Sequence, residues 1–227
     1  MSRKPVVTLD GPAGSGKSTT AKAVADALGF LHLDSGALYR ALTFALLEAD
    51  IPAERWPTLT ADDFRELDVR AVQKDGTLLV EVAGRPVTHE LRTAEVTEHV
   101  SRLAGLPEAR RSLIGLQRSV GADGGLVTDG RDMGTVVFPD AEVKVFLVAD
   151  LEERARRRLA EAGDSSPYRH DLREQVASIR ERDRQDTERA HSPLREAKGA
   201  HRIDTTELDF DEQVREVVDL VRRLTPP

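Results

Sequence analysis

The chain has 227 residues, which is more than an average domain of about 150 residues but not clearly two. Its 33 basic and 40 acidic residues give a formal net charge of −7, so the surface as a whole is a poor template for nucleic acid or an anionic membrane. Cysteine is absent, which excludes disulfides, thiolate nucleophiles and cysteine-ligated metals. The apolar runs are far too short to span a bilayer, and we expect a cytoplasmic monomer with no nucleic-acid or membrane partner.

The N-terminal region alternates apolar runs with helical patterns. In chain order these predict a strand at 5–10, a helix at 17–28, a strand at 31–34 and a helix at 36–49. Gly29 is placed where the first helix should stop. Residues 51–63 contain two prolines and a tryptophan, and this composition is typical of a linker.

A different pattern follows in the middle of the chain. Apolar runs at 67–72 and 77–83 flank Asp75-Gly76, which is a strong hairpin signal, and residues 86–87 can add a third short strand. Antiparallel hairpins inside a strand–helix chain indicate an inserted lobe at roughly 60–100. Two helices are then predicted at 93–103 and 108–120.

The C-terminal half returns to strand–helix alternation. It predicts strands at 125–129, 143–148 and 201–204, helices at 151–162, 172–189 and 211–224, and a break at 163–167. Short connections between alternating strands and helices predict an α/β fold with a parallel sheet covered by helices on both faces, a small antiparallel insert and a helical lid. We divide the chain into a core (1–58), an insert lobe (59–105), a core segment (106–150), a lid region (151–190) and a final core segment (191–227).

The segment from Gly11 to Ser18 matches G-x-x-x-x-G-K-[ST], the P-loop motif. Its glycines let backbone N–H groups turn around an anion, and the following helix adds its positive end. Lys17 can reach the β- and γ-phosphates of a nucleotide, and the Ser18 hydroxyl can ligate Mg²⁺. The motif lies between a predicted strand and a predicted helix, so the sequence indicates an ATP- or GTP-type phosphate site.

P-loops occur in kinases, GTPase switches and ATP-driven motors. The chain has no asparagine, so the usual guanine reader of GTPases is missing, and a motor should be longer and have adjacent acids at a strand end. A small kinase that surrounds its acceptor with arginines fits better, because positioning and charge neutralisation supply most of the rate of phosphoryl transfer. Arg154, Arg157 and Arg158 share one helix face by spacing, as do Arg182, Asp186 and Arg189. Spacing alone leaves open a solvated helix with surface ion pairs.

Four segments resemble the bacterial cytidylate kinase family, and the resemblance covers nearly the whole chain. They are residues 10–19 (DGPAGSGKST), 33–40 (LDSGALYR), 129–141 (DGRDMGTVVFPDA) and 182–189 (RDRQDTER). The resemblance implies transfer of the ATP γ-phosphate to CMP or dCMP with Mg²⁺ as cofactor. In that family the insert lobe belongs to the region that binds the nucleoside monophosphate.

The resemblance and the P-loop motif together assign candidate site residues. The ATP site would comprise Gly11, Pro12, Ala13, Gly14, Ser15, Gly16, Lys17, Ser18 and Thr19. The CMP site would comprise Ser35, Tyr39, Arg40, Ser101, Arg110, Arg131, Asp132, Arg182, Asp186 and Arg189. The catalytic cations would be Lys17, Arg131, Arg157, Arg158, Arg182 and Arg189, and the metal ligands Ser18 and Asp129.

Other interpretations remain open at this point. Ser35 could be a helix N-cap, Tyr39 a core aromatic, and Asp129 a loop cap rather than a metal ligand. Arg131 and Asp132 could pair only with each other. The whole chain could be another small-molecule kinase, of the UMP/CMP, shikimate or dephospho-CoA type, or a regulatory module that binds a nucleotide without turning it over.

Overall fold

The computed structural model describes residues 3–74, 76–162 and 171–226. The strands are β1 (Val6–Asp10), β2 (Leu31–Asp34), β3 (Val69–Lys74), β4 (Thr77–Val82), β5 (Arg85–Pro86), β6 (Leu126–Gly130), β7 (Val143–Val148) and β8 (His201–Asp204). The α-helices are α1 (Lys17–Leu28), α2 (Ser35–Glu48), α3 (Ala61–Glu66), α4 (Ala94–Ala104), α5 (Pro107–Val120), α6 (Leu151–Ala162), α7 (Leu172–Glu188) and α8 (Phe210–Leu224). Within these residues, no helix is long and apolar enough to cross a membrane.

The central sheet has five parallel strands in the order β2-β6-β1-β7-β8. All five residues of β1 are buried, as expected for the middle strand of a sheet with both faces covered. On one face the core includes side chains of α2, α4 and α5, and on the other it includes side chains of α1 and α8. The predicted α/β fold with a doubly covered parallel sheet is therefore confirmed.

The second sheet is antiparallel, in the order β3-β4-β5. Lys74 pairs with Thr77 across the predicted two-residue turn, where Gly76 has φ +77° and Asp75 lies outside the described residues. The third strand is β5, one residue earlier than predicted. The hairpin insert is thus confirmed, whereas the division of the chain into five segments stays a prediction.

The interpretation of residues 51–63 as a linker is wrong. Trp56 starts a short 3₁₀ turn and is completely buried, and its indole N–H donates to the carbonyl oxygen of Ile51 at 2.9 Å. The helix α3 already begins inside this segment, with a capping box between Thr60 and Asp63. The local composition predicted a loop, but burial of the Trp56 ring against the rest of the fold gives this segment a defined structure.

The helices α6 and α7 pack against each other and against the P-loop, in a small apolar cluster that contains Ala13, Ala155 and Ile179. The predicted break at 163–167, between these two helices, lies outside the described residues. Both helices stand at the carboxyl-terminal edge of the parallel sheet, where ligands bind in open α/β folds.

Candidate active site

The P-loop joins the end of β1 to the start of α1. Gly14 and Gly16 have φ values of +75° and +80°, in the left-handed region that glycine adopts without strain. Gly16 is the N-cap of α1; no side chain among the described residues caps this helix, and its first turn has no acidic residue. The free N–H groups and the positive end of the helix dipole are therefore available to an anion.

Lys17 lies at the base of this loop and is almost completely buried. Its ammonium group donates to the carbonyl oxygen of Pro12 at 3.0 Å. Burial lowers the pKa of Lys17 to about 7, and the positive charges of Arg131 and Arg182 act in the same direction, while the Asp129 carboxylate opposes them. Burial disfavours the charged form of this lysine, and bound phosphates would stabilise it.

Asp129, at the end of β6, connects the P-loop to β2. The Ser18 hydroxyl donates to Asp129 Oδ2, and His32 Nε2 lies 2.9 Å from Asp129 Oδ1. The two predicted metal ligands are thus brought together, and His32 is a partner that the sequence did not reveal. Within the described residues, no cluster of three or more histidines or acids forms a complete metal cage. A hydroxyl and one carboxylate suit Mg²⁺, because Mg²⁺ usually completes its octahedron with substrate phosphates and water.

Asp10 is a second buried acid that the sequence analysis did not single out. Its carboxylate accepts the backbone N–H groups of Met133 at 2.9 Å and Gly134 at 2.7 Å. These residues begin a π-helical turn, Met133–Val137, which follows Asp132. Burial raises the pKa of Asp10 to about 6, although the two backbone hydrogen bonds oppose the rise. Asp10 therefore fixes the turn that presents Asp132.

A buried network of arginines and aspartates lies beside the P-loop. Arg110 donates to Asp132, and Arg131 Nε donates to Asp186 at 2.6 Å. The guanidinium of Arg189 lies 4.0 Å from Asp132 and 3.8 Å from Asp186. The interpretation in which Arg131 pairs only with Asp132 is wrong, since each turns to a different partner.

This network has donors left over. Arg110 Nε, Arg182 Nε and Arg189 Nη2 are buried and make no hydrogen bond to any residue that the structure describes. Burial lowers the pKa of Arg182 to about 9, and repulsion by Arg131 adds to the effect. Buried N–H groups without acceptors are costly, so their presence indicates a ligand that supplies the acceptors.

The α2 candidates occupy the wall of the same region. Asp34 accepts the N–H of Ala37 and is the N-cap of α2, so the interpretation of Ser35 as the cap is wrong. Ser35 is buried in the first turn. Tyr39 is buried with the Arg110 guanidinium 5.3 Å from its ring centre, and burial raises the pKa of Tyr39 to about 12. Tyr39 also belongs to the apolar core, as its interpretation as a core aromatic predicts, and its place in the acceptor pocket stays a prediction.

Two further candidates lie near the insert lobe. Arg40 donates to the hydroxyl of Thr97 at 3.1 Å and to the carbonyl oxygen of Leu91 at 3.3 Å. Ser101 is half-buried on α4, the helix that also carries Thr97.

The arginines of α6 diverge despite their common spacing. Arg154 is buried against the P-loop, where it donates to the carbonyl oxygen of Ala13. Arg157 is held by Glu153 and Thr205, and Thr205 follows β8. Arg158 lies near enough to Arg40 and Arg182 to lower the pKa of both, after burial as the larger cause. The sequence does not reveal the structural role of Arg154 and its partner Asp183, because charge spacing cannot distinguish buried pairs from solvated ones.

Known proteins resemble this chain over nearly its whole length. The family model for cytidylate kinase matches residues 7–223. Cytidylate kinase from Bordetella bronchiseptica is 46% identical over 221 residues, which cover 96% of this chain and 95% of that protein. Bifunctional pantoate ligase/cytidylate kinase from Synechococcus sp. (strain JA-2-3B'a(2-13)) is 45% identical over 235 residues, which cover 98% of this chain and 41% of that relative. The chain therefore spans less than half the length of the bifunctional relatives that it matches.

A structural comparison supports the fold alone. An uncharacterized protein from Eubacterium ventriosum ATCC 27560 aligns with a TM-score of 0.55 over 97% of this chain and 99% of that one, at 12% sequence identity.

Proposed function

Because this chain belongs to the cytidylate kinase family, we propose that it transfers the γ-phosphate of ATP to CMP or dCMP and releases ADP with CDP or dCDP. One observation carries the proposal: beside the P-loop, four buried or half-buried arginines lie near Asp132 and Asp186, and three of these arginines keep a buried N–H that bonds to none of the residues that the structure describes. The arginines are Arg110, Arg131, Arg182 and Arg189. A site with surplus positive charge and spare donors suits the dianionic phosphate of an acceptor nucleotide.

On the donor side, the N–H groups of the P-loop and of the first turn of α1 would bind the ATP phosphates. The phosphate charge would raise the pKa of Lys17 from about 7, so that the bound state keeps an ammonium group at the β- and γ-phosphates. Thr19 lies in the same first turn. Arg157 and Arg158, on α6, are proposed to contribute positive charge from the other side of ATP.

On the acceptor side, the Asp132 carboxylate would accept a hydrogen bond from the cytosine amine, a pairing that acids also use in nucleic-acid readout. Arg110 holds this carboxylate, and Tyr39 packs beneath Arg110. The remaining acceptor contacts are assigned as the family resemblance implies. They are Ser35, Arg40, Ser101, Arg131, Arg182, Asp186 and Arg189.

Magnesium fits the pair formed by Ser18 and Asp129, because both offer hard oxygen ligands. When bound, Mg²⁺ neutralises charge on phosphate oxygens. His32 would keep Asp129 oriented through its hydrogen bond to the second carboxylate oxygen.

In the reaction, a phosphate oxygen of CMP attacks the γ-phosphorus of ATP while the bond to the β–γ bridging oxygen breaks and ADP leaves. The residues of this chain perform no covalent step. Lys17 and the arginines hold the two phosphates in line and neutralise the charge that spreads over the transferring group. The monomeric state and the cytoplasmic location stay predictions.

The product identity tests the proposal. The purified chain is incubated with ATP, CMP and Mg²⁺, and the phosphorus NMR spectrum is followed with time. We expect the signals of CDP and ADP to grow together, and Lys17→Ala to abolish both. Release of inorganic phosphate without CDP would contradict the proposal.

A further inference from the structure

Ala13, at the tip of the P-loop, is held entirely by α6 and α7. Its N–H donates to Asp183 Oδ1 at 3.0 Å, and its carbonyl oxygen accepts from Arg154 Nη1 at 2.9 Å. Its methyl group packs in the cluster that contains Ala155 and Ile179. Both backbone polar groups of Ala13 and its side chain are therefore bound by the two helices.

The two charged residues also bind each other. Arg154 Nη1 lies 2.5 Å from Asp183 Oδ2, and the side chains are 9% and 20% exposed. Arg154 Nε donates in addition to the carbonyl oxygen of Ala149, just after β7, at 2.9 Å. The guanidinium of Arg154 thus connects the end of β7, the P-loop and α7. Arginine suits this position because its planar group carries several N–H donors in a fixed geometry.

The next residue shows how closely the loop is held. Gly14 has φ +75°, and a Cβ atom there would lie 3.0 Å from the carbonyl oxygen of Arg154. The loop backbone therefore rests directly on the backbone of α6. The N–H of Ala13 turns outward to a carboxylate rather than inward to the phosphate space, so this residue anchors the loop.

We propose that Arg154 and Asp183 are positioning residues that together fix the tip of the P-loop for ATP. Asp183 binds the N–H of Ala13 and Arg154 binds its carbonyl oxygen, so the peptide groups on both sides of this residue are fixed, and this sets the orientation of the N–H groups that follow. Asp183 is next to Arg182 in the sequence of α7. The pair of Arg154 and Asp183 therefore ties the P-loop to the helix that also carries arginines of the proposed acceptor site. The proposal deepens the proposed function and depends on it for the identity of the nucleotide.

The test measures binding rather than turnover. The dissociation constants of a non-hydrolysable ATP analogue with Mg²⁺ and, separately, of CMP are measured by calorimetry for the full chain and for Asp183→Asn, Arg154→Gln and the double variant. Asp183→Asn keeps an oxygen that can accept from Ala13 but loses the charged contact with Arg154. Glu181→Gln is the matched control, because Glu181 is on α7 and pairs with Arg184 in solvent.

We expect each single variant to bind the ATP analogue about tenfold more weakly, the usual scale for a lost charge-assisted hydrogen bond. The double variant should bind the ATP analogue as tightly as whichever single variant binds it less tightly, because the two residues act as one unit. In the Arg154 and Asp183 variants the dissociation constant of CMP should change by less than about twofold. In Glu181→Gln the dissociation constant of the ATP analogue should also change by less than about twofold. Circular dichroism and thermal melting establish that each variant is folded, and either single variant suffices if the other does not fold.

Three outcomes would overturn the proposal. In the first, a folded single variant has an unchanged dissociation constant for the ATP analogue. In the second, the dissociation constant of the double variant rises by the product of the two single effects. In the third, CMP binding is weakened as much as binding of the ATP analogue. Failure of the proposed function is distinguishable, since it would show as absence of CDP formation by the wild-type chain, whereas these binding measurements require no turnover.

Discussion

Arg131 and Asp186 form a buried ion pair that joins the end of β6 to α7, with Nε 2.6 Å from Oδ2. Burial favours protonation of Asp186, but Arg131, Arg182 and Arg189 together hold the pKa of this carboxyl below its ordinary value. The arginines that would bind the acceptor phosphate are thus held in place before any substrate arrives. Preorganised charge of this kind is the main source of rate enhancement in phosphoryl transfer.

Asp186→Asn is expected to destabilise the protein and the acceptor site together. Removal of one partner of a buried pair leaves an uncompensated charge, at a cost of about 3–5 kcal/mol in the free energy of unfolding. The KM for CMP should rise at least about tenfold, while the KM for ATP changes little. Urea unfolding and steady-state kinetics measure the two effects, with Glu188→Gln on the exposed side of α7 as control. An unchanged KM for CMP would exclude Asp186 from the acceptor site.

The lowered pKa of Lys17 predicts that ATP binding takes up a proton. At about pH 8 the free protein has Lys17 mostly neutral, because its pKa is about 7. Bound phosphates raise this pKa, so affinity for a non-hydrolysable ATP analogue should fall as the pH rises from about 7 to 9. Calorimetry at about pH 8, in buffers of different ionisation enthalpy, should detect the uptake of about one proton for each molecule of analogue bound.

Lys17→Met is the control for this measurement, since it removes the titrating group. Proton uptake by the variant equal to that of the wild-type protein would show that another group is responsible.

Asp10→Asn is expected to loosen the turn at Met133. An asparagine side chain offers one acceptor where the carboxylate accepts two N–H groups, so one buried N–H loses its partner and the free energy of unfolding falls by about 1–3 kcal/mol. The pKa of Asp10 is raised from 3.8 to about 6, so the folded state binds this proton more tightly than the unfolded state does. The resulting stabilisation is complete below pH 3.8 and is lost as the pH rises through 6. The stability difference between wild type and variant should therefore shrink between about pH 4 and 7, as measured by urea unfolding. A difference that grows over this range would contradict the burial argument.

His32 is predicted to tune the metal requirement through Asp129. Loss of its hydrogen bond in His32→Leu should raise the Mg²⁺ concentration for half-maximal rate about tenfold, as is usual for partners of metal ligands. His32→Gln can still donate an N–H and should recover much of the wild-type value. His201→Leu, at an exposed position of β8, is the control. Equal behaviour of His32→Leu and His32→Gln would show that packing, and not the hydrogen bond, is responsible.

The sequence predicted the elements that are determined locally. The helix α1 begins at Lys17 and stops before Gly29, which has φ +62°, and Asp75-Gly76 specified the hairpin of β3 and β4. The signals here are short-range: apolar period, a left-handed glycine and a two-residue turn. The alternation of strands and helices predicted a parallel sheet but not the order of its strands, β2-β6-β1-β7-β8.

The features that the sequence did not predict depend on distant contacts. The π-helical turn Met133–Val137 is held by Asp10, more than a hundred residues earlier in the chain. Trp56 is buried by its tertiary neighbours, although its flanking prolines indicate a loop. Asp183 lies in a helix with many charges, and only the packed structure distinguishes it from its solvated neighbours Glu181 and Arg184.

Acceptor specificity is the most direct test of the proposed reaction. A coupled assay of ADP release with ATP and Mg²⁺ is run against CMP, dCMP, UMP, AMP, GMP and shikimate, with wild type and Asp132→Ala. We expect kcat/KM for CMP and dCMP to exceed that for AMP, GMP and shikimate by at least about 100-fold, and Asp132→Ala chiefly to raise the KM for CMP. Faster turnover of another acceptor, or ADP release that does not depend on an acceptor, would contradict the proposed reaction.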